Sequence, residues 1–248
     1  MLLHADRKFV LMECNTYAYD TSEMRKYCLS TRGHNTVRVD GMDQNRRKTY
    51  KWNDEDIHKH SGIESKLTPA VDAARGVYDE GYGEDQDKNV THERSVYFMK
   101  QLPGCKPFGI VVDRLAAKEG EHDYEVLWHL DDEKLIADGM QLTAGTLHVL
   151  VPDAPMETAG LSVSRGVQFP EWQGWRCNSS LQKDFRPVYT AQYWLHGKDM
   201  RWVTVLYPDG HEACPIAGVE AGLDVADTKI TLQMTDGTTV ELDEADLL

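Results

Sequence analysis

His34 lies in Ser30-Thr31-Arg32-Gly33-His34-Asn35-Thr36-Val37, inside a segment dense in arginine. An imidazole gains and loses its proton near neutral pH, so it can act as a base, a hydrogen-bond donor or a metal ligand. A hydrogen-bonded structural histidine has the same sequence appearance. Over residues 21–51 the bases are Arg25, Lys26, Arg32, Arg38, Arg46, Arg47, Lys48 and Lys51, and the acids are Glu23, Asp40 and Asp43. Eight bases against three acids form a positive island in a chain whose formal charge is −14. Guanidinium groups capture planar carboxylates and sulfates in a bidentate manner. The island therefore reads as the path of an acidic polymer, or as a solvated loop paired with acids elsewhere.

Other residues carry weaker chemistry. His58-Lys59-His60 would present two imidazoles on one face of a strand, but Asn53, Asp54, Glu55 and Asp56 beside it mark a polar loop. Trp172-Gln173-Gly174-Trp175 and Tyr193-Trp194 offer indole faces on which sugar rings could stack, whereas Trp128 and Trp202 sit among apolar strand residues and read as core. Cys14, Cys28, Cys105, Cys177 and Cys214 are odd in number and lack CxxC spacing, so they form neither a disulfide framework nor a zinc knuckle. All five are expected as thiols packed like small hydrophobes. There is no GxSxG, no P-loop and no HExxH.

The elements that must position these groups are mostly strands. Residues 229–234 alternate polar and apolar, Asp236-Gly237 supplies a turn, and 239–242 alternate back, which predicts a terminal hairpin. Further short runs rich in β-branched and aromatic residues fall at 95–100, 108–114, 124–130, 146–151, 160–163, 189–195 and 201–207. Many short strands at such spacing predict an antiparallel β-sandwich rather than a parallel α/β sheet. Helix is scarce: Thr21 or Ser22 can cap one short helix near the N-terminus, with Glu23 in its first turn. Residues 221–224 and 244–248 are weaker helical candidates, while 53–66 and 79–88 read as loops.

The chain has 248 residues, 27 Lys+Arg and 41 Asp+Glu, with 41% hydrophobic residues. That length buries a core without metal or disulfide staples. The acidic balance excludes a general nucleic-acid binder. No apolar run reaches the roughly 20 residues of a membrane-spanning helix, and His4, Asp6, Arg7 and Lys8 interrupt the N-terminal stretch too early for a signal peptide. No repeat or linker divides residues 1–248, so a single domain is expected.

Asn15-Thr16-Tyr17-Ala18-Tyr19-Asp20-Thr21, then Arg25-Lys26-Tyr27, Leu29 to Val37 and Val39-Asp40-Gly41, resemble the C-terminal part of heparinase II/III-type polysaccharide lyases. Gln44-Asn45-Arg46-Arg47, Arg94-Ser95-Val96-Tyr97-Phe98, Ile110-Val111-Val112-Asp113-Arg114 and Tyr124-Glu125-Val126-Leu127-Trp128-His129-Leu130 continue the resemblance in order. It covers essentially the whole chain.

The resemblance implies the C-terminal β-sandwich of enzymes whose N-terminal α/α toroid is absent here. Those enzymes cleave uronic-acid-containing glycans by β-elimination, using a base and groups that stabilise an enolate-like intermediate. It places Tyr27 as a catalytic group, and Arg32, Asn35, Arg46 and Arg47 against the acidic polysaccharide. His34 falls on the last ligand of a zinc site of the complete family enzyme, and Glu13 where the family has an aspartate. The family's His-x-His element has no counterpart: His4-Ala5-Asp6 keeps one histidine, and residues 4–8 read as a turn. Two ligands are too few for zinc, so none is expected for this chain alone. A missing toroid becomes an expected partner. Periplasmic or extracellular residence follows from resemblance only, since this chain shows no export signal. The alternative is a stand-alone carbohydrate-binding or structural β-module without catalysis, and a self-sufficient lyase built on His34, Tyr27 and Arg46 is the third reading. The glycan itself is not legible.

Overall fold

The computed structural model describes residues 1–5, 7–45, 62–179, 181–210 and 212–248. Its frame is a pair of long strands at the centre of an eight-stranded antiparallel sheet, β7 (Phe108–Ala117) and β16 (Met200–Pro208), which pair directly. Both read as nearly unbroken apolar runs because the sheet is covered on two faces here. Side chains alternate across it. Val111, Leu115, Trp202 and Leu206 enter one core, while Ile110, Val112, Val203 and Val205 enter another.

The sheet continues through β6 (Val90–Met99), β5 (Val71–Tyr78) and β4 (Ile63–Leu67) on one side. On the other side come β11 (Leu147–Leu150), β10 (Gln141–Ala144) and β9 (Leu135–Asp138). The first core is closed by a six-stranded sheet. It contains β1 (Leu3–Ala5), β2 (Lys8–Leu11), β8 (His122–Leu130), β15 (Tyr189–Gly197) and β12 (Ala159–Arg165), with β3 (Val37–Val39) joined to β8. Tyr124, Val126, Trp128 and Leu130 of β8 and Tyr193 of β15 fill the space between the sheets. The second core is closed by β17 (Ile216–Glu220), β18 (Lys229–Met234) and β19 (Thr239–Asp243). The all-β sandwich expected from sequence is thus realised, with a third small layer added. No described helix is long and apolar enough to cross a membrane.

The terminal hairpin forms as predicted, its turn tied by Thr238 N–H to Asp236 Oδ1 at 2.9 Å. Helix α1 (Glu23–Leu29) starts where expected, with the Ser22 hydroxyl accepting from Arg25 N–H, and α2 (Glu244–Leu247) closes the chain. Three expectations are corrected. Residues 4–8 are not a turn alone, since β1 and β2 flank the reversal and pair. Residues 221–224 are not helical, because the backbone turns away to meet β16, where the Arg201 N–H donates to the Leu223 carbonyl at 2.7 Å. Residues 63–66, expected as loop, belong to the edge strand β4, whose side chains are all exposed and which is held by its backbone ladder to β5.

Candidate functional site

Two chain segments meet at His34. Glu13 follows β2, and His34 follows a single 3-10 turn, Thr31–Gly33. The Cys14 N–H donates to the Gly33 carbonyl at 2.7 Å, which sets the segments side by side. Gly33 permits that closeness: a Cβ there would stand 2.7 Å from the Tyr27 carbonyl oxygen and 3.1 Å from Cys14 Cβ. Cys14 and Cys28 are joined by a disulfide, with Cα atoms 5.4 Å apart. The expectation of five free thiols is corrected for this pair, whose separation of 14 residues has no motif to announce it. Cys105, Cys177 and Cys214 are free.

The result brings Glu13 and His34 together. His34 Nδ1 lies 3.0 Å from Glu13 Oε2, and Nε2 lies 3.1 Å from the Cys28 carbonyl oxygen. Glu13 Oε1 receives the amino group of Met1. Burial by itself would raise the Glu13 carboxyl, but the hydrogen bonds from His34 and the Met1 amine bring it down to about 2, so it is ionised at neutral pH. The His34 side chain is 39% exposed. It faces a pocket of about 620 Å3 whose walls include Phe9, Asn15, Arg25, Leu29 and Arg176.

Beneath the pocket lies a buried polar network. The Asn35 amide donates to the carbonyls of Met1 and Met12 at 2.8 and 2.9 Å, and its oxygen accepts from His129 N–H and Nδ1–H at 2.7 and 3.0 Å. Asn35 is 2% exposed, and these four bonds use the whole capacity of a primary amide. Its expected contact with substrate is therefore corrected: the side chain stitches the Glu13 segment to β8. Burial lowers the His129 imidazole to about 4, leaving it neutral. Its Nε2 lies 2.9 Å from the Arg32 carbonyl oxygen, 3.1 Å from the Tyr27 hydroxyl and 3.4 Å from the Gln173 amide nitrogen.

Tyr27 is itself 1% exposed, packed with Tyr17, Met24 and Cys177, and burial pushes its hydroxyl up to about 12. The cleft-facing Tyr27 expected from resemblance is not what this chain presents. Amphipathic α1 turns residues 24, 27 and 28 inward.

Most of the described basic island is already matched. Arg32 Nη1 meets the Trp172 carbonyl and Glu171 Oε2, both at 3.3 Å, which turns it toward the 171–175 loop. Arg38 is 5% exposed and pairs with Glu125 at 2.9 Å and with Asp43 and Glu171 at its edge. Lys26 pairs with Glu23. Arg46, Arg47, His58 and His60 lie outside the described residues. Trp172 and Trp175 pack against each other and against Phe185, with centroids 5.3 to 5.9 Å apart, and Tyr193 is fully buried. Trp128 and Trp202 are core residues, as expected.

No group of three His, Cys, Asp or Glu donors converges among the described residues. Zinc takes at least three protein ligands. Here Glu13 and His34 meet each other, and both ring nitrogens of His34 face oxygen acceptors. The described donors do not fit the metal, and no step below passes through one.

Sequence reasoning missed Asp113 as a structural centre. This fully buried carboxylate accepts from His92 Nε2 at 2.6 Å and from Arg94 Nε and Nη2 at 2.6 and 3.0 Å. Arg94 in turn donates to the Asn35 carbonyl and lies 5.0 Å over Trp128. It missed Glu244 too, on which Arg114, Arg201 and Tyr97 converge at 2.7–3.1 Å. The positions were visible within quoted motifs or helix candidates; their pairing was not.

A family model described as "Heparinase II/III-like, C-terminal" matches residues 1–191. No curated protein gives a significant match. Among solved structures, a heparinase III gene product with methylated lysines superposes with a TM-score of 0.68 at 14% identity, over 98% of this chain and 35% of that one. A second heparinase III structure gives 0.63 at 13% identity, over 95% and 34%. At these identities the likeness is one of fold. The chain spans about a third of the length of either structure.

Proposed function

The chain belongs to the heparinase II/III-like, C-terminal family, and from that premise we propose that it is the β-sandwich module of a polysaccharide lyase acting on uronic-acid-containing glycans by β-elimination. The observation that carries the reading is the Glu13–His34 pair, held at 3.0 Å on the wall of an open pocket rather than inside a core. β-Elimination removes the proton alpha to the uronate carboxylate and expels the glycosidic oxygen. It needs a base within reach and donors aimed at the carboxylate as charge develops there. This chain offers the Arg25 guanidinium as a donor, on the wall that also carries His34 and the ionised Glu13. Both nitrogens of His34 are taken by oxygen partners, and Tyr27 and His129, which could move protons, are sealed beneath the pocket, so in this reading the base comes from a toroid. In this reading the chain alone binds acidic polysaccharide weakly and does not turn it over.

The test is direct. The purified chain is incubated with uronate polymers while the ultraviolet absorbance of unsaturated uronate is followed, and its binding is measured by affinity electrophoresis at rising salt. Binding that weakens with salt, without product, is the expected result. Product release by the chain alone, or mobility indifferent to every acidic polymer, overturns it.

A further inference from the structure

Arg25 carries the one charge on the pocket wall that the described fold leaves unanswered. Helix α1 sets Arg25 and Leu29 a turn apart on the same face, so both line the pocket while Met24 and Tyr27 bury the other side. The guanidinium lies 4.6 Å over the Tyr19 ring and donates to the Tyr17 carbonyl at 3.4 Å. No carboxylate among the described residues stands within ion-pair distance of it. The neighbouring charges are matched: Arg176 pairs with Asp131, and Glu13 with Met1 and His34.

The rest of the wall is apolar and open. Leu2, Phe9 and Leu29 are 55%, 43% and 52% exposed. A guanidinium held by a ring and a carbonyl, with only Nη1 in a hydrogen bond and no acid beside it among the described residues, suits a bidentate oxyanion. Aromatic and aliphatic faces beside it suit the C–H face of a pyranose. The pocket also falls within the size range of small-ligand sites, about 300–1,000 Å3.

We propose that this pocket binds one acidic sugar residue, with Arg25 holding its carboxylate or sulfate and Phe9 and Leu29 covering its apolar ring face. The inference rests on the polysaccharide reading above and names the residue that recognises charge within it.

The experiment titrates the full chain calorimetrically with three hexasaccharides: one containing glucuronate and no sulfate, its carboxyl-reduced counterpart, and an N-sulfated form. Arg25→Ala weakens binding of the acidic forms about tenfold, the worth of one charge-assisted contact, and leaves the carboxyl-reduced sugar unchanged. Arg25→Lys, which keeps the charge and the helix but loses the planar fork, recovers part of the affinity. Arg165→Ala, an exposed arginine stacked on Tyr189 outside the pocket, changes nothing. If the unsulfated sugar loses most, the carboxylate is the ligand; if the N-sulfated form does, it is the sulfate. Unaltered affinity of both Arg25 variants for every acidic sugar overturns the assignment while wild-type binding leaves the module reading standing. A wild-type chain without salt-sensitive affinity for any of the three overturns both.

Discussion

Asp113→Ala is expected to remove about 3–5 kcal/mol of folding stability, the cost of leaving one half of a buried ion pair alone. The structure supplies the reason. The carboxylate is fully buried and is met by three N–H groups from His92 and Arg94. Without it the Arg94 side chain, 15% exposed, keeps its place over Trp128 with no counter-charge. Against a total stability of about 5–15 kcal/mol, that loss is large. Asp113→Asn keeps the shape and removes the charge, so it falls between wild type and Asp113→Ala.

Acid gives a second handle on the same group. Burial would raise the Asp113 carboxyl, but Arg94 and His92 hold it at about 2, below its ordinary 3.8. A folded-state value depressed in this way contributes stability that is complete above about pH 4 and is lost as pH falls toward 2, roughly 2 kcal/mol in all. The measurement is urea unfolding followed by tryptophan fluorescence. At pH 7 the midpoint of Asp113→Ala falls with an unchanged slope, and the gap between wild type and Asp113→Asn narrows between pH 4 and pH 2. Midpoints for both variants within about 1 kcal/mol of wild type at pH 7, or a gap that ignores acid, would refute the reasoning.

Tyr27→Phe removes the hydroxyl that meets the buried His129 Nε2 at 3.1 Å and leaves it the more distant Gln173 amide at 3.4 Å, so the melting point drops by the equivalent of about 1–2 kcal/mol. Glycan affinity stays as it was; a variant of normal stability with altered affinity would put Tyr27 back in the pocket. Reducing the Cys14–Cys28 bridge, or replacing both residues with serine, relaxes a loop whose ends are 14 residues apart. That costs about 3 kcal/mol on the chain-entropy account, read as a lower melting temperature in dithiothreitol. Identical melting curves with and without reductant would show that the bridge carries no load.

Some of this fold was legible because its forces are local. Strands such as 229–234 announce themselves by alternation, and β16 by an apolar run that only a doubly covered strand tolerates. β4 gave no such indication: Ile63-Glu64-Ser65-Lys66-Leu67 is exposed throughout, so its strand state comes from backbone pairing and leaves no burial pattern in the sequence. Residues 221–224 look helical in isolation, and the competing pull of the β16 edge becomes visible only once β16 is in place.

The site shows the same division more sharply. Asn35, Tyr27, Arg94 and Asp113 stand in the motifs by which the sequence is recognised, and every one of them is scaffold beneath or beside His34. Their chemistry is real, but it is directed inward. For the described part of the basic island, residues 21–45, the charge sum overstated what is free, because acids arrive from afar: Arg38 pairs with Glu125, 87 residues away, and Arg32 with Glu171. What a polyanion meets is the charge left over after folding has matched the rest. On the described pocket wall that remainder is Arg25, a residue with nothing in its sequence surroundings to set it apart from Arg32 or Arg38. Only its lack of an acid partner among the described residues does so, and that is a property of the folded chain.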